Sequence, residues 1–253
     1  MKLFLSPDHY IETEKPIDIS IPVVSGDDNL RAWYVDPPKM EPVRANGFVG
    51  AVAEGGSVNF RDIFFNPHGH GTHTECLGHI TEQVHSVNRS MSSFICKSQL
   101  VTIEPERIWN EAYNEEDLVI LKDQFDSIVF ENDIDALVIR TTPNPESKKH
   151  MNYSATNPPY LHANVYEVIK RLGIKHLLID LPSVDRESDG GELKFHHMYW
   201  GVPDTPDHEK TITELIYVPD HIIDGVYILE LQVAAFENDA SPSRPVLYKI
   251  ESV

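Results

Sequence analysis

Apolar residues recur along the chain in short runs bounded by Pro, Gly, Asn and Asp, the pattern of buried strands separated by turns. Runs at 17–21, 48–52, 136–141, 176–180, 226–234 and 246–250 predict strands. Helical spacing covers 161–172, where Leu161, Val165, Val168, Ile169 and Leu172 share one face and Gly173 offers a left-handed stop. A second helix is predicted over 115–129. The order strand, helix, strand across 136–180 predicts a βαβ unit of a parallel or mixed sheet. Pro158 and Pro159 stand just ahead of the crossover helix, where a first turn tolerates proline. The stretch 142–157 (TPNPESKKHMNYSATN) is polar and turn-rich and is expected to border an active site.

The chain of 253 residues shows no internal repeat and no Ser/Gly linker, which predicts one domain over 1–253. With 21 Lys and Arg against 40 Asp and Glu, the formal charge is −19. That excess of acid argues against a nucleic-acid partner and against an anionic membrane surface, because both need a basic footprint. Every apolar run falls short of the ~20 residues of a membrane span. The first residues, MKLFLSPDHYIETE, place proline and acids where a secretory signal needs an apolar stretch, so a soluble, cytoplasmic protein is expected. Cys76 and Cys96 are too few for a disulfide framework, and no CxxC occurs.

Histidine changes the picture. Five of the 13 His lie between His68 and His85. Segment 66–80, NPHGHGTHTECLGHI, packs His68, His70, His73, Glu75 and His79 among three glycines. Several neutral imidazoles and a carboxylate converging on one ion make a metal site, and glycine lets the backbone come close. On an extended segment His73 and Glu75 share a face, as do His68 and His70. A polar loop with capping histidines accounts for one such residue, whereas four with a carboxylate point to a metal. HExxH, GxSxG and the P-loop are absent.

A second group lies downstream in FHHMYWGVPDTPDHEKTITEL, with His196, His197, His208 and Glu214. Glu214 sits among Ile212, Leu215 and Ile216, where an unpaired buried carboxylate is costly and a metal would remove the cost. Asp180, Ser183 and Asp185 follow a predicted strand, where open α/β sheets keep functional groups.

GTHTECLGH resembles the HxGTHxDxPxH signature of the cyclase family of metal-dependent hydrolases, which includes bacterial kynurenine formamidase and isatin hydrolase. Further segments are similar to that family in the same order: IDISIPV at 17–23, DALVIRTT at 135–142 and GIKHLLIDLPSVD at 173–185. The His-His pair, ITEL at 212–215 and DASPSRPV at 239–246 follow, so the likeness spans nearly the whole chain. It implies an α/β fold, a swivelling β/β/α domain with a mixed sheet and flanking helices. It also implies a homo-oligomer, dimer or tetramer, whose N-terminal segment crosses to a neighbour; Trp33 and YVDPPKMEPV at 34–43 suit such an exchange.

The same resemblance implies Zn²⁺, up to two ions per chain, with Mn²⁺ as an alternative. Carried over residue by residue, His73 takes the second signature histidine, Glu75 the bridging acid, and His196 (or His197) and Glu214 the downstream ligands. His79 takes the place of the catalytic base. The chain departs from the pattern at four points. Gly69 stands where the first signature histidine belongs, so His68 or His70 must replace it, with His68 favoured because it follows Pro67. Glu75 replaces Asp, Leu77 replaces Pro, and the acid of ITEL is one residue out of register.

The activity implied is hydrolysis of a carbon–nitrogen bond in a small amide, with the formamide of N-formylkynurenine first among substrates and kynurenine and formate as products. Phe64, Phe65, Trp33, Tyr199 and Trp200 are candidate aromatic walls. One alternative is a hydrolase or cyclase acting on another cyclic amide, lactone or polyketide-like substrate. Another is a degenerate, non-catalytic member that keeps a metal. Metal stoichiometry separates the last from the others, and a substrate panel separates the first two.

Overall fold

In the computed structural model, which describes residues 1–253, four parallel strands form the centre: Ile95–Ile103, Ala136–Thr141, His176–Ile179 and Thr211–Glu214. Antiparallel strands extend this core on both sides. Gly225–Glu230 and Val246–Ser252 continue it beyond Ile95–Ile103, while His73–Glu75 and Ala240–Pro242 continue it beyond Thr211–Glu214. With Lys2–Phe4, His9–Glu12 and Ile17–Asp18, the mixed sheet has 11 strands. No helix is long and apolar enough to cross a membrane.

Strand Ala136–Thr141 is buried at every residue, as a parallel strand covered on both faces must be. Leu137 and Ile139 point into one apolar cluster, with Val168 and Ile169 of helix Tyr166–Leu172 and Phe195, Tyr199 and Trp200 of helix Lys194–Trp200. Ala136 and Val138 point into the other, with Ile19, Leu178, Leu229 and Leu247. Burial of each such Leu or Ile contributes about 1.5–3 kcal/mol. The mixed α/β architecture with flanking helices expected from the sequence is the one that forms.

The βαβ unit forms as expected, with Ala136–Thr141 parallel to His176–Ile179 and Gly173 ending the crossover helix at φ 68°. Its helix is shorter than 161–172: Tyr160–Leu161 pairs as a strand with Val119–Ile120, and a 3-10 turn Ala163–Val165 precedes Tyr166–Leu172. Predicted strands 17–21, 48–52 and 226–234 shrink to Ile17–Asp18, Phe48–Val49 and Gly225–Glu230.

The helix expected over 115–129 does not form. Glu115–Ile120 is a strand in a hairpin with Glu106–Asn110, followed by a 3-10 turn Lys122–Phe125. Asp117 decides it, because this buried carboxylate accepts hydrogen bonds from Arg186, Asn110, Asn157 and Tyr160, four partners that an exposed helical acid would forgo. The stretch 142–157 lines a cavity of about 860 Å³ with Pro158, Pro159 and Leu181, and no residue of the histidine-rich segment reaches that cavity. The loop therefore borders a sizeable hollow at a place separate from the clustered histidines.

Candidate metal centre

Strand register assembles the first half of the site. Glu214 stands opposite His73 in the antiparallel pair of Thr211–Glu214 with His73–Glu75, and strand alternation puts His73 and Glu75 on one face. On its other edge His73–Glu75 pairs with Ala240–Pro242, the strand that follows Asp239.

His196 comes from helix Lys194–Trp200, and Asp185 fixes it there. Asp185 Oδ1 accepts the Phe195 N–H at 2.8 Å; its Oδ2 accepts the His196 N–H at 3.0 Å and the ring Nδ1–H at 2.7 Å. His196 thereby presents Nε2 at 3.2 Å from Glu75 Oε1 and 3.9 Å from Glu214 Oε1.

His73 donates Nδ1–H to the Gly71 carbonyl at 3.0 Å, which turns Nε2 inward. Nε2 lies 3.4 Å from Glu214 Oε2 and 4.0 Å from Glu75 Oε2. Both residues are fully buried; His73 Nε2 has no hydrogen-bond partner, and Glu75 Oε2 has none but the His68 ring at its edge. Each orphan group of this kind costs about 1–3 kcal/mol. A ring lone pair and carboxylate oxygens facing one another are what a divalent cation satisfies, so the residues present fit a metal.

A second donor set shares Glu75. His68 Nδ1 lies 3.0 Å from Glu75 Oε2, and its Nε2 meets Asp239 Oδ2 at 2.9 Å. His79 Nδ1 lies 3.4 Å from Asp239 Oδ2 and 3.9 Å from Glu75 Oε2. Ligand atoms of His73, Glu75 and Glu214, and likewise of His68, Glu75 and His79, all lie within 4.8 Å of one another. His68, His79 and Asp239 form the open edge, with side chains 19%, 31% and 26% exposed.

The electrostatics follow from this crowding of acids. Burial pulls His68 and His196 down. Hydrogen bonds that His68 gives to Asp239 and Glu75, and His196 to Asp185 and Glu75, outweigh it and raise both to about 10. Burial likewise pushes Glu75 up, yet the charge of His79 and hydrogen bonds from His196 and His68 hold it well below the carboxylate range. Asp239 is held low by hydrogen bonds from His68 and His79.

The remaining sequence candidates fall outside the cluster. His70 is turned away: its Nδ1 accepts the Asn66 N–H and its Nε2 meets the Asp36 carbonyl, both at 2.8 Å, so neither ring nitrogen is left for an ion. Between His68 and His70, it is His68 that reaches Glu75. Between His196 and His197, it is His196, since His197 Nδ1 bonds the Val202 carbonyl at 3.2 Å. His208 is exposed against His85. Asp180 is a buried partner of Lys148 at 2.9 Å, and Ser183 accepts the Asp185 N–H at 3.0 Å. Tyr199 and Trp200 are core residues, not substrate walls, and Trp33 packs against the small apolar cluster that holds Tyr153 and Leu215.

Two glycines in this segment are held by close contacts. A Cβ on Gly69 would lie 2.8 Å from Val35 Cγ2 and 3.1 Å from the Ala32 carbonyl oxygen, so a side chain there would displace Val35, and the neighbouring His68 is the imidazole that reaches Glu75. A Cβ on Gly78 would lie 2.4 Å from the His85 carbonyl oxygen, so this glycine permits a close backbone crossing. Asp239 was missed in the sequence. It opens the DASPSRPV segment, but its link to His68 spans 171 positions, which no local pattern reveals.

The Cyclase family model, described as "Putative cyclase", matches residues 17–186. The chain belongs to the cyclase family. Among curated relatives of this cyclase-family chain, a kynurenine formamidase of Bacillus cereus is 28% identical over 241 residues, covering 95% of this chain and 100% of the relative. A kynurenine formamidase of Bacillus anthracis is 27% identical over the same span. Among solved structures, one described as a potential metal-dependent hydrolase with cyclase activity superposes with a TM-score of 0.65 at 14% identity, over 92% of this chain and 97% of that one. An isatin hydrolase bound to the product analogue thioisatinate gives a TM-score of 0.62 at 11% identity, over 94% and 93%. At these identities the two structures establish the shared cyclase fold.

Proposed function

We propose that this cyclase-family chain is a metal-dependent hydrolase of a small amide, of the kynurenine formamidase type. Full-length similarity to relatives named kynurenine formamidase supports the reading. The observation that carries it is the orphaned His73 Nε2, buried and facing the carboxylates of Glu214 and Glu75 at 3.4 and 4.0 Å. His73, Glu75, Glu214 and His196 would hold one ion, and His68 with Glu75 faces a second position. The mixed imidazole and carboxylate donors suit Zn²⁺, with Mn²⁺ next. Bound there, a divalent ion polarises an amide carbonyl and makes water more acidic.

His79 stands at the open edge with Nδ1 toward Asp239, which leaves Nε2 as its free ring nitrogen. In this reading Nε2 takes a proton from the attacking water and returns it to the departing amine as the carbon–nitrogen bond breaks. The products are an amine and a carboxylic acid, formate when the substrate is a formamide. Such a base contributes roughly 10²–10⁴-fold. Asp185 keeps His196 in one tautomer, and the buried walls of His73 and Glu214 exclude solvent from the inner half.

The chain is proposed to work as a homo-oligomer. Ile63 and Phe64 are exposed on a two-stranded pair, Lys39–Pro42 with Arg61–Phe64, Phe60 is exposed just before it, and such apolar side chains favour contact with another copy. The test is to load purified protein with Zn²⁺ or Mn²⁺ and assay N-formylkynurenine, simple aryl formamides and isatin. Release of formate or of the aryl amine is expected. Turnover of isatin alone would move the substrate class to cyclic amides, and no turnover with metal bound would overturn the enzyme reading.

A further inference from the structure

Glu75 ends two chains of contacts of the same form. On the buried side, Asp185 Oδ2 holds His196 Nδ1 at 2.7 Å, and His196 Nε2 lies 3.2 Å from Glu75 Oε1. On the open side, Asp239 Oδ2 holds His68 Nε2 at 2.9 Å, and His68 Nδ1 lies 3.0 Å from Glu75 Oε2. Each histidine therefore has one ring nitrogen engaged by an aspartate and the other turned toward the shared acid. The two rings use opposite nitrogens, because one arrives from a helix and the other from the loop before strand His73–Glu75.

We infer that Asp239 is a positioning residue for the metal centre: it fixes His68 as the tautomer protonated on Nε2, leaving the Nδ1 lone pair for an ion, and tethers His79 at the mouth. The inference rests on the metal reading proposed above and assigns a residue beyond the family-matched span of 17–186. A carboxylate on the far nitrogen of a ligating imidazole sets both its orientation and its basicity. Asp239 is well placed for this because its backbone is pinned. Its carbonyl accepts the Cys76 N–H at 3.0 Å, Ala240 pairs with Glu75 in the sheet, and the Asn238 carbonyl accepts the Val87 N–H at 2.9 Å. The side chain, 26% exposed, has no structural partner besides His68 and His79. Its contact with His79 at 3.4 Å shows that one carboxylate serves two imidazoles whose rings lie 4.3 Å apart.

The test is Co²⁺ titration of chelator-treated protein, read by stoichiometry, affinity and the visible absorption of the bound ion. Parent, Asp239→Ala, Asp239→Asn, His68→Ala and the double variant His68→Ala with Asp239→Ala are compared, each checked for an unchanged fold by circular dichroism. Asp239→Ala is expected to weaken Co²⁺ binding on the order of 10–100-fold and to alter the absorption band. Asp239→Asn keeps an acceptor oxygen and should recover part of that loss. In the His68→Ala background, Asp239→Ala should add nothing, since it acts through the missing ring. Affinity and spectrum identical to the parent in Asp239→Ala would overturn the inference, as would a further loss in the double variant. Absence of Co²⁺ binding in the parent would overturn the metal reading itself, so the two failures are distinguishable.

Discussion

His73 and Glu214 face each other across an antiparallel strand pair, with His73 Nε2 3.4 Å from Glu214 Oε2 and both side chains buried. The ring nitrogen has no hydrogen-bond partner, because His73 spends its Nδ1–H on the Gly71 carbonyl. The pair could hold a cation between strands.

Glu214→Gln keeps shape and removes charge. Metal content should fall by one ion per chain, or its affinity by at least about tenfold, equal to roughly 1.4 kcal/mol. Chelation should lower the Tm of the parent, since an ion at about 100 times its Kd stabilises by roughly 2.7 kcal/mol. The shift on chelation should be smaller in Glu214→Gln. Differential scanning calorimetry with and without chelator checks both, and equal shifts would return Glu214 to a structural role.

His68→Ala and His70→Ala should separate cleanly. The first removes a ring aimed at Glu75 and should weaken or lose a metal. The second removes a ring whose two nitrogens already bond Asn66 and Asp36, so metal content should stay at the parental value. Elemental analysis of both proteins decides, and loss of metal in His70→Ala alone would reverse the assignment.

His79→Ala should keep at least the buried ion, because His73, Glu214 and His196 are untouched. Under the proposed base role, kcat falls on the order of 10²-fold or more. A rise in KM with kcat preserved would instead make His79 a substrate-binding group.

Gly78→Ala should destabilise by roughly 1–3 kcal/mol, the usual range for overpacking. The new Cβ meets a backbone carbonyl at 2.4 Å, which cannot rotate away as a side chain can. The matching change at Gly69 meets first a valine methyl at 2.8 Å and should cost less. Urea unfolding measures both, and a larger loss at Gly69 would contradict the ordering.

Asp117 gives a pH signature away from the metal. Burial raises its pKa, but hydrogen bonds from Arg186, Asn157, Asn110 and Tyr160 prevail and lower it from 3.8 to about 2. A carboxyl depressed in the folded state adds stability that is fully present above the unfolded value and is lost as pH falls toward the folded one. With allowance for solvent screening, the contribution at neutral pH is about 1–2 kcal/mol. Unfolding of chelator-treated parent and Asp117→Asn between pH 6 and pH 2, about the range over which this group titrates, should show the difference shrinking below pH 4. A difference that stays constant would assign the effect to packing.

What the sequence determined by itself was whatever depends on neighbours in the chain. The apolar run 136–141 gave its strand with matching bounds, Gly173 its helix stop, and the spacing of His73 and Glu75 a common face. Periodicity and glycine's left-handed freedom are local, so they survive folding unchanged. The 115–129 helix failed for the complementary reason: Asp117 reads as a surface acid until Arg186 and Tyr160 arrive from other parts of the chain. The choice of His68 over His70 was likewise beyond local reading, because Asp36 and Asn66 capture one ring while Glu75 and Asp239 take the other. Asp239 entered only with the fold, and Asp185, a candidate by its place after a strand, gained its partner His196 only there. Imidazole orientation depends on which partners the sheet and helix bring within about 3 Å, and hydrogen bonds at that range are decided in three dimensions.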